Sequence, residues 1–378
     1  MATTSSPISL LLSLNGSLAS EGKSVGGGDL VLFKFIRLAQ MHPDLLIPES
    51  AQGFVSTDGK KFLTRKNNQL SLLGIISLFL VRIVQGIWHG IRNPTVYDVA
   101  LAGSPFAVDV IPIWVSKARH KGSVIYHVLP ERKAVSFSTW VRFSLAAIEQ
   151  KITFAILRQA CDFIVAGNEF TRRQLKARLP GKPIFTLPAG IDAANFDRVP
   201  SPAKDPNLAC FIGRLVSQKG IFDLVKCMEA LAKSHPDLQL VMVGTGPERD
   251  LLVSEIQRLK LTNIRLSGFI SETEKIALLK KSTFFFFPSY EEGWGIALAE
   301  ALYCECRCVC YELAHYRSIF GYFPAYARLG DSQDFLRAIK ECKPVSAAQK
   351  DFIRQYDDPK VVQQLVAHLE TVAGSHPD

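Results

Sequence analysis

Residues 282–301, STFFFFPSYEEGWGIALAEA, decide how this chain is read. Residues 282–287 are apolar and aromatic and stop at Pro288 and Ser289, the pattern of a buried strand giving way to a turn. Glu291, Glu292, Gly293, Trp294 and Gly295 then make an acidic, glycine-bearing loop. Residues 296–302 are rich in Ala and Leu, which favour helix. The predicted plan is strand, loop, helix. Backbone N–H groups at a helix start suit an anion, whereas carboxylates suit hydroxyl groups, so a ligand carrying both fits such a loop. Glu292 and Glu300 are separated by seven residues, one on the loop and the other about two turns down the helix, and can reach two ends of one elongated ligand.

Other segments repeat the plan. Residues 208–212 read as a strand, followed by Gly213 and Arg214, with Lys219 just before a helix that starts at about Gly220. Two cations between a strand and a helix suit a diphosphate on which negative charge builds; as plain surface charges they would oppose the helix dipole. Residues 238–243 precede the turn Gly244, Thr245, Gly246, Pro247, and residues 264–269 form a further strand ending in Gly268 and Phe269. Earlier, residues 8–14 read as a first strand, followed by Gly26, Gly27 and Gly28 and a helical pattern over 29–39. Consecutive glycines permit close approach of a ligand, although a surface loop has the same composition, and no convincing G-x-G-x-x-G pattern is present. Strand-like runs at 98–102, 123–127, 162–165 and 184–187 alternate with helical segments, which implies a parallel, doubly wound sheet with ligands at the carboxyl ends of its strands. His127 closes one such run. Residues 187–205 read as a linker, and 335–342, 347–355 and 359–372 as helices.

At 378 residues, two domains are the natural expectation. The net charge of +9 is uneven: residues 1–200 carry 23 Lys/Arg against 13 Asp/Glu, and the remainder 21 against 22. With no nucleic-acid motif evident, a basic first half points to a membrane surface or an anionic substrate rather than nucleic acid. Its charges cluster at Lys60, Lys61, Arg65 and Lys66, at Lys117, Arg119 and Lys121, and at Arg172, Arg173, Lys176 and Arg178. These are either solvated faces or, with Trp140, Val141, Phe143 and Leu145, a surface for anionic lipid. Cys304, Cys306, Cys308 and Cys310 alternate, so strand geometry would place all four on one face, as small buried residues in a reducing cytosol rather than a metal site. No signal-peptide pattern is evident at the N-terminus. In residues 70–88 only about a dozen apolar residues precede Arg82, short of the roughly 20 that span a bilayer, so a buried or interfacial helix is expected there.

Pro288, Ser289, Glu292, Gly293, Trp294, Gly295, Glu300 and Ala301 match P-S-x-x-E-G-(F/W)-G-x-x-x-x-E-A, and with them the chain resembles the retaining glycosyltransferases of family 4. Arg214 and Lys219 match the cations of a G-R-(x)-x-x-x-K-G signature; Gly190, Ile191, Asp192 and Phe196 resemble a hinge sequence in which Ala189 replaces the usual Asn. Glu305 and Arg307 stand where the family normally has Gly and often Pro. The resemblance implies an α/β fold of the GT-B class, two Rossmann-like domains facing a central cleft. Residues 1–188 would be the acceptor-side domain, joined by a C-terminal helix at about 356–378 that crosses back, and 206–355 the nucleotide-sugar-binding domain. It implies transfer of a hexose-type sugar, with retention, from a UDP- or GDP-linked donor to a glycan, lipid-linked or glycolipid acceptor. The chain has no Asp-x-Asp triplet, so no metal is expected, and no cofactor, the nucleotide sugar being a substrate. By resemblance Arg214, Lys219, His127 and Glu292 act at the reaction centre and Glu300 binds the donor ribose. The amides of Gly293, Trp294, Gly295 and Ile296 support both glutamates, Gly268 and Phe269 meet the base, and Gly213, Gly27 and Gly28 face the donor. A cytoplasmic protein, peripheral on the membrane face, is the expected setting. The competing readings are a nucleotide-sugar epimerase and a degenerate nucleotide-sugar-binding subunit.

Overall fold

The computed structural model describes residues 8–16, 27–55, 57–66, 72–126, 128 and 137–375. They form two compact units, one comprising the described residues up to 128, Ser138–Ala189 and those from Asp358 onward, the other centred on Gly190–Asp357. The first unit is built on strands β1 (Leu10–Ser13), β2 (Asp44–Pro48), β3 (Lys61–Thr64), β4 (Tyr97–Ala102), β5 (Ala118–Ile125), β6 (Phe163–Ala166) and β7 (Ile184–Thr186). They pair in the order β3-β2-β1-β4-β5-β6-β7, all parallel. A parallel sheet covered on both faces needs apolar residues on both, which is why β1 (LLLS) and β6 (FIVA) are buried at every position. Sequence reading missed β2 and β3. β3 is an edge strand that opens with the charged Lys61, whose Nζ donates to Val55 O at 2.9 Å, so its pattern lacks the apolar run of a central strand. β5 ends at Ile125, short of the predicted His127, which lies outside the described residues. Helix Asp358–Gly374 packs into this unit: Lys34 Nζ bonds Asp358 Oδ1 at 2.6 Å and Ala189 O at 3.1 Å, and His368 stacks on Phe185 at 4.4 Å.

The apolar segment that Arg82 interrupts is one continuous helix, Leu72–Arg92, 21 residues. Arg82 is buried: its Nε donates to Arg65 O at 2.8 Å and its Nη1 to Asn15 O at 3.0 Å, so the charge is turned inward onto backbone carbonyls. Burial pulls its pKa down to about 10, with Asp109 opposing. The outward side instead shows Ile76, Leu80, Val84, Trp88 and Ile91, 43–66% exposed and three or four residues apart. Among the described residues, Gly74–Arg92 is the one helix whose length and composition would suffice to cross a membrane.

The second unit holds β8 (Asp205–Ile212), β9 (Gln239–Val243), β10 (Ile264–Gly268), β11 (Ser282–Phe287), β12 (Arg307–Tyr311) and β13 (Ala325–Ala327), parallel and ordered β10-β9-β8-β11-β12-β13. β11 is central, with Phe285, Phe286 and Phe287 buried, as its aromatic run requires. The four alternating cysteines do not share one strand. Cys304 caps helix Ile296–Tyr303, and Glu305 takes a left-handed φ of 58°, a conformation that glycine adopts at less cost. Only Cys308 and Cys310 lie in β12. The segment read as a linker contains helix Ala193–Arg198, capped by Asp192, whose carboxylate accepts from Asn195 N at 3.0 Å.

Candidate active site

In the second unit the strand order reverses direction between β8 and β11, the point where a doubly wound sheet opens a crevice at its carboxyl edge. The loops leaving these two strands are 213–220 and 288–295, which carry the cations and the first glutamate. They are locked together through backbone. Gly220, at φ 68°, is the residue before helix Ile221–Ser234, and a Cβ there would lie 2.1 Å from Pro288 O. Tyr290 N donates to Gln218 O at 2.8 Å, while Leu215 N donates to Thr245 O and Gly213 N to Val243 O, at 2.9 and 3.0 Å, tying in the loop after β9. Asp223, on helix Ile221–Ser234, accepts from Tyr290 OH at 2.7 Å and Tyr311 OH at 2.8 Å, and burial together with this carboxylate pushes both phenols up. The acidic loop is therefore anchored at its base before any ligand arrives.

Lys219 closes a short 3-10 turn, Ser217–Lys219, and its Nζ lies 2.5 Å from Glu292 Oε1. Ser289 Oγ donates to the same oxygen at 2.8 Å. Lys219 and Glu292 side chains are only 16% and 15% exposed, so their attraction is poorly screened. Arg214 is exposed on the same loop as Lys219. His315 stands close enough to feel Glu292; burial pushes its pKa down to about 4 against that carboxylate's pull. Gly295, at φ 95°, caps helix Ile296–Tyr303, which aims the amides of its first turn at the mouth of the loop.

Glu300 lies on that helix, 9% exposed, with its Oε1 2.8 Å from Lys275 Nζ. Trp294 was expected to act through its backbone amide, and its side chain is occupied elsewhere. Its indole is 4% exposed and packs edge-on against Phe320 and Tyr356 at 5.5 and 5.0 Å, so only its backbone faces the loop. Gly268 N-terminal to Phe269 ends β10, its carbonyl accepts from Gly244 N at 2.9 Å, and Phe269 is 82% exposed at the same edge of the sheet. Gly27 and Gly28 open helix Gly27–Leu38 of the first unit; Gly26 and His127 lie outside the described residues. Trp140, Val141 and Phe143 lie on helix Phe137–Ala160, their side chains outside the description. Lys275, Asp223 and His315 were not singled out by sequence. Their isolated positions carry no motif, and only the packing of neighbouring helices brings them to the site.

A basic loop facing an acidic one, with helix amides between them, can hold a phosphate and hydroxyl groups at once. Residues 192–340 match the family described as Glycosyl transferases group 1. These residues are similar to a group 1 glycosyl transferase domain. Relatives of this domain include glycogen synthase of Mycobacterium tuberculosis, 26% identical over 167 residues, 43% of this chain and 40% of that one. Phosphatidyl-myo-inositol mannosyltransferase of Mycobacterium tuberculosis is 27% identical over 232 residues, covering 56% of this chain and 60% of its own length. The chain thus spans less than two thirds of these relatives. In three dimensions it is similar to sucrose-phosphate synthase from Thermosynechococcus elongatus, with a TM-score of 0.75, 13% identity and coverage of 97% of this chain and 99% of that one. This likeness is one of fold, two Rossmann-like units of the GT-B class. Within the matched residues fall Arg214, Lys219, Glu292 and Glu300, all on the loops and helix of the β8 and β11 crossover.

Proposed function

We propose that this chain is a retaining, metal-independent hexosyltransferase that moves a sugar from a UDP- or GDP-linked donor to a glycan, lipid-linked or glycolipid acceptor. The observation that carries this reading is the Lys219–Glu292–Ser289 contact at the switch point, with Arg214 on the same loop. Leaving a nucleoside diphosphate requires counter-charge that is already oriented when the glycosidic bond breaks, and a cation held on a rigid turn supplies it without reorganisation. Lys219 and Arg214 would stabilise the departing phosphate, Glu292 would bind sugar hydroxyls, and Glu300 the ribose. Front-face attack, with the departing phosphate taking the acceptor proton, accounts for retention without a carboxylate nucleophile on the acceptor side. All eight cysteines are free, which suits a reducing, cytoplasmic setting. A thermal-shift screen of UDP-, GDP- and ADP-sugars tests donor binding, since a ligand of the folded state raises the midpoint with its affinity. Release of free nucleotide only when acceptor is added separates a transferase from an epimerase. Binding without turnover over a broad acceptor panel would instead mark a binding subunit.

A membrane-facing acceptor is favoured by the outer side of helix Leu72–Arg92. Its exposed apolar residues run from Ile76 to Ile91, with Arg92 4.6 Å over the Trp88 indole ring, and Trp114 and Lys117 of the same unit are exposed as well. Apolar side chains flanked by Trp and basic residues suit the interface of an anionic bilayer. The other basic clusters contribute less charge than their count suggests, because Arg172 and Arg173 both pair with Glu169, and Arg119 with Asp98. Sedimentation with anionic vesicles is the test: the full chain should be recruited at low salt and Leu80→Ser/Val84→Ser should not. Equal recruitment of both proteins would remove the helix from the reading.

A further inference from the structure

We propose that Lys275 is a positioning residue that holds the Glu300 carboxylate in the orientation needed to accept hydrogen bonds from the donor's ribose diol. The proposal rests on the reading of Glu300 as a ribose ligand. Lys275 lies on helix Glu272–Lys281, whose first turn is fixed by a reciprocal capping box between Ser271 and Glu274. Its Nζ is 2.8 Å from Glu300 Oε1 and 2.9 Å from Glu272 Oε1, and lies 5.8 Å over the Phe196 ring. The ammonium is thus gripped from three elements of the second unit. The side chain is only 16% exposed, and that of Glu300 12%.

This arrangement is poorly explained as a stabilising device. A cation in the first turn of a helix opposes the helix dipole. Removing two charges from water costs about as much as their attraction returns, and apolar residues of similar volume often do as well. What an ion pair does provide is a fixed geometry for the carboxylate. Burial lowers the Lys275 pKa, but Glu300 and Glu272 more than offset it, so the ammonium keeps its proton and its charge. Glu300 sits among Leu298, Ala299, Ala301 and Leu302, all fully buried, so the helix itself cannot swing to find a ligand. The carboxylate must be aimed by its neighbour instead.

The experiment measures, by calorimetry, the binding of the nucleoside diphosphate selected by the thermal-shift screen and of its 2′,3′-dideoxy analogue. Glu300→Gln should weaken the diphosphate and leave the analogue nearly unchanged. Lys275→Met should do the same, by about tenfold or more for the diphosphate, since charge-assisted hydrogen bonds are being misaligned. Lys275→Arg should recover most of the loss. Lys275→Gln, run alongside, keeps the comparison available if the Met variant does not fold. If Lys275→Met and Lys275→Gln weaken both ligands equally while Glu300→Gln discriminates between them, Lys275 merely packs and the proposal is overturned. If Glu300→Gln itself fails to discriminate, the ribose assignment falls, and the role of Lys275 falls with it.

Discussion

Replacing Lys219 by Met keeps the length of the side chain and removes its charge, leaving Glu292 with the Ser289 hydroxyl and no cation. Breaking a buried pair by deleting one partner costs about 3–5 kcal/mol. With the two side chains 16% and 15% exposed, water screens part of this, and about 2–3 kcal/mol is the reasonable expectation. For a unit of this size that lowers the melting midpoint by roughly 5–10 °C. Glu292→Gln should cost less, because the amide still accepts from Lys219 and Ser289. The double variant Lys219→Met/Glu292→Gln buries no unpaired charge and should be less destabilised than the two single changes combined, by about 1–2 kcal/mol. Turnover should behave differently. Lys219→Met should lower kcat by about 10² or more, because the charge it neutralises grows in the transition state, and the double variant should not recover it. Scanning calorimetry of the ligand-free proteins and a nucleotide-release assay make the two measurements. Additive melting shifts would refute the pairing, and near-normal turnover of Lys219→Met would refute its role at the leaving group.

Arg214→Ala should leave the melting midpoint almost unchanged, since the side chain is exposed, yet lower kcat by about 10²; a normal rate in a nucleotide-release assay would remove it from the site. His315 has a folded-state pKa of about 4, below its ordinary value. The unfolded chain therefore binds the extra proton first, so this contribution is complete above about pH 6.5 and is lost as pH falls towards 4, at most about 3 kcal/mol. Thermal melts between pH 4 and 7 should show a flatter profile for His315→Gln, and an unchanged slope would contradict this. Incubation with EDTA should leave turnover within about twofold if Arg214 and Lys219 supply the counter-charge; recovery of a lost rate only on adding magnesium or manganese would show that a metal is required.

The sequence alone determined much of the second unit, because its signals are local. A strand of aromatic residues, a turn ended by Pro288 and Ser289, and an Ala/Leu helix form where their own residues dictate, so β11, the acidic loop and helix Ile296–Tyr303 stand where they were read. The cations near Gly213 and Gly220 were legible for the same reason, each lying between a strand and a helix start. Other features depended on long-range pairing. β3 became a strand because β2 was available beside it, although Lys61 breaks its apolar pattern. Arg82 read as an interruption of an apolar run, but inside the fold it meets the carbonyls of Arg65 and Asn15, residues far from it in the chain. The motif marked the amide of Trp294, but that its indole would pack between Phe320 and Tyr356 depended on elements from elsewhere in the chain. The meeting of Lys219 with Glu292 and of Lys275 with Glu300 lay beyond sequence reading, because the paired residues are 73 and 25 positions apart. The order of parallel strands brings the loops of β8 and β11 together, and the packing of adjacent helices then decides which charges touch.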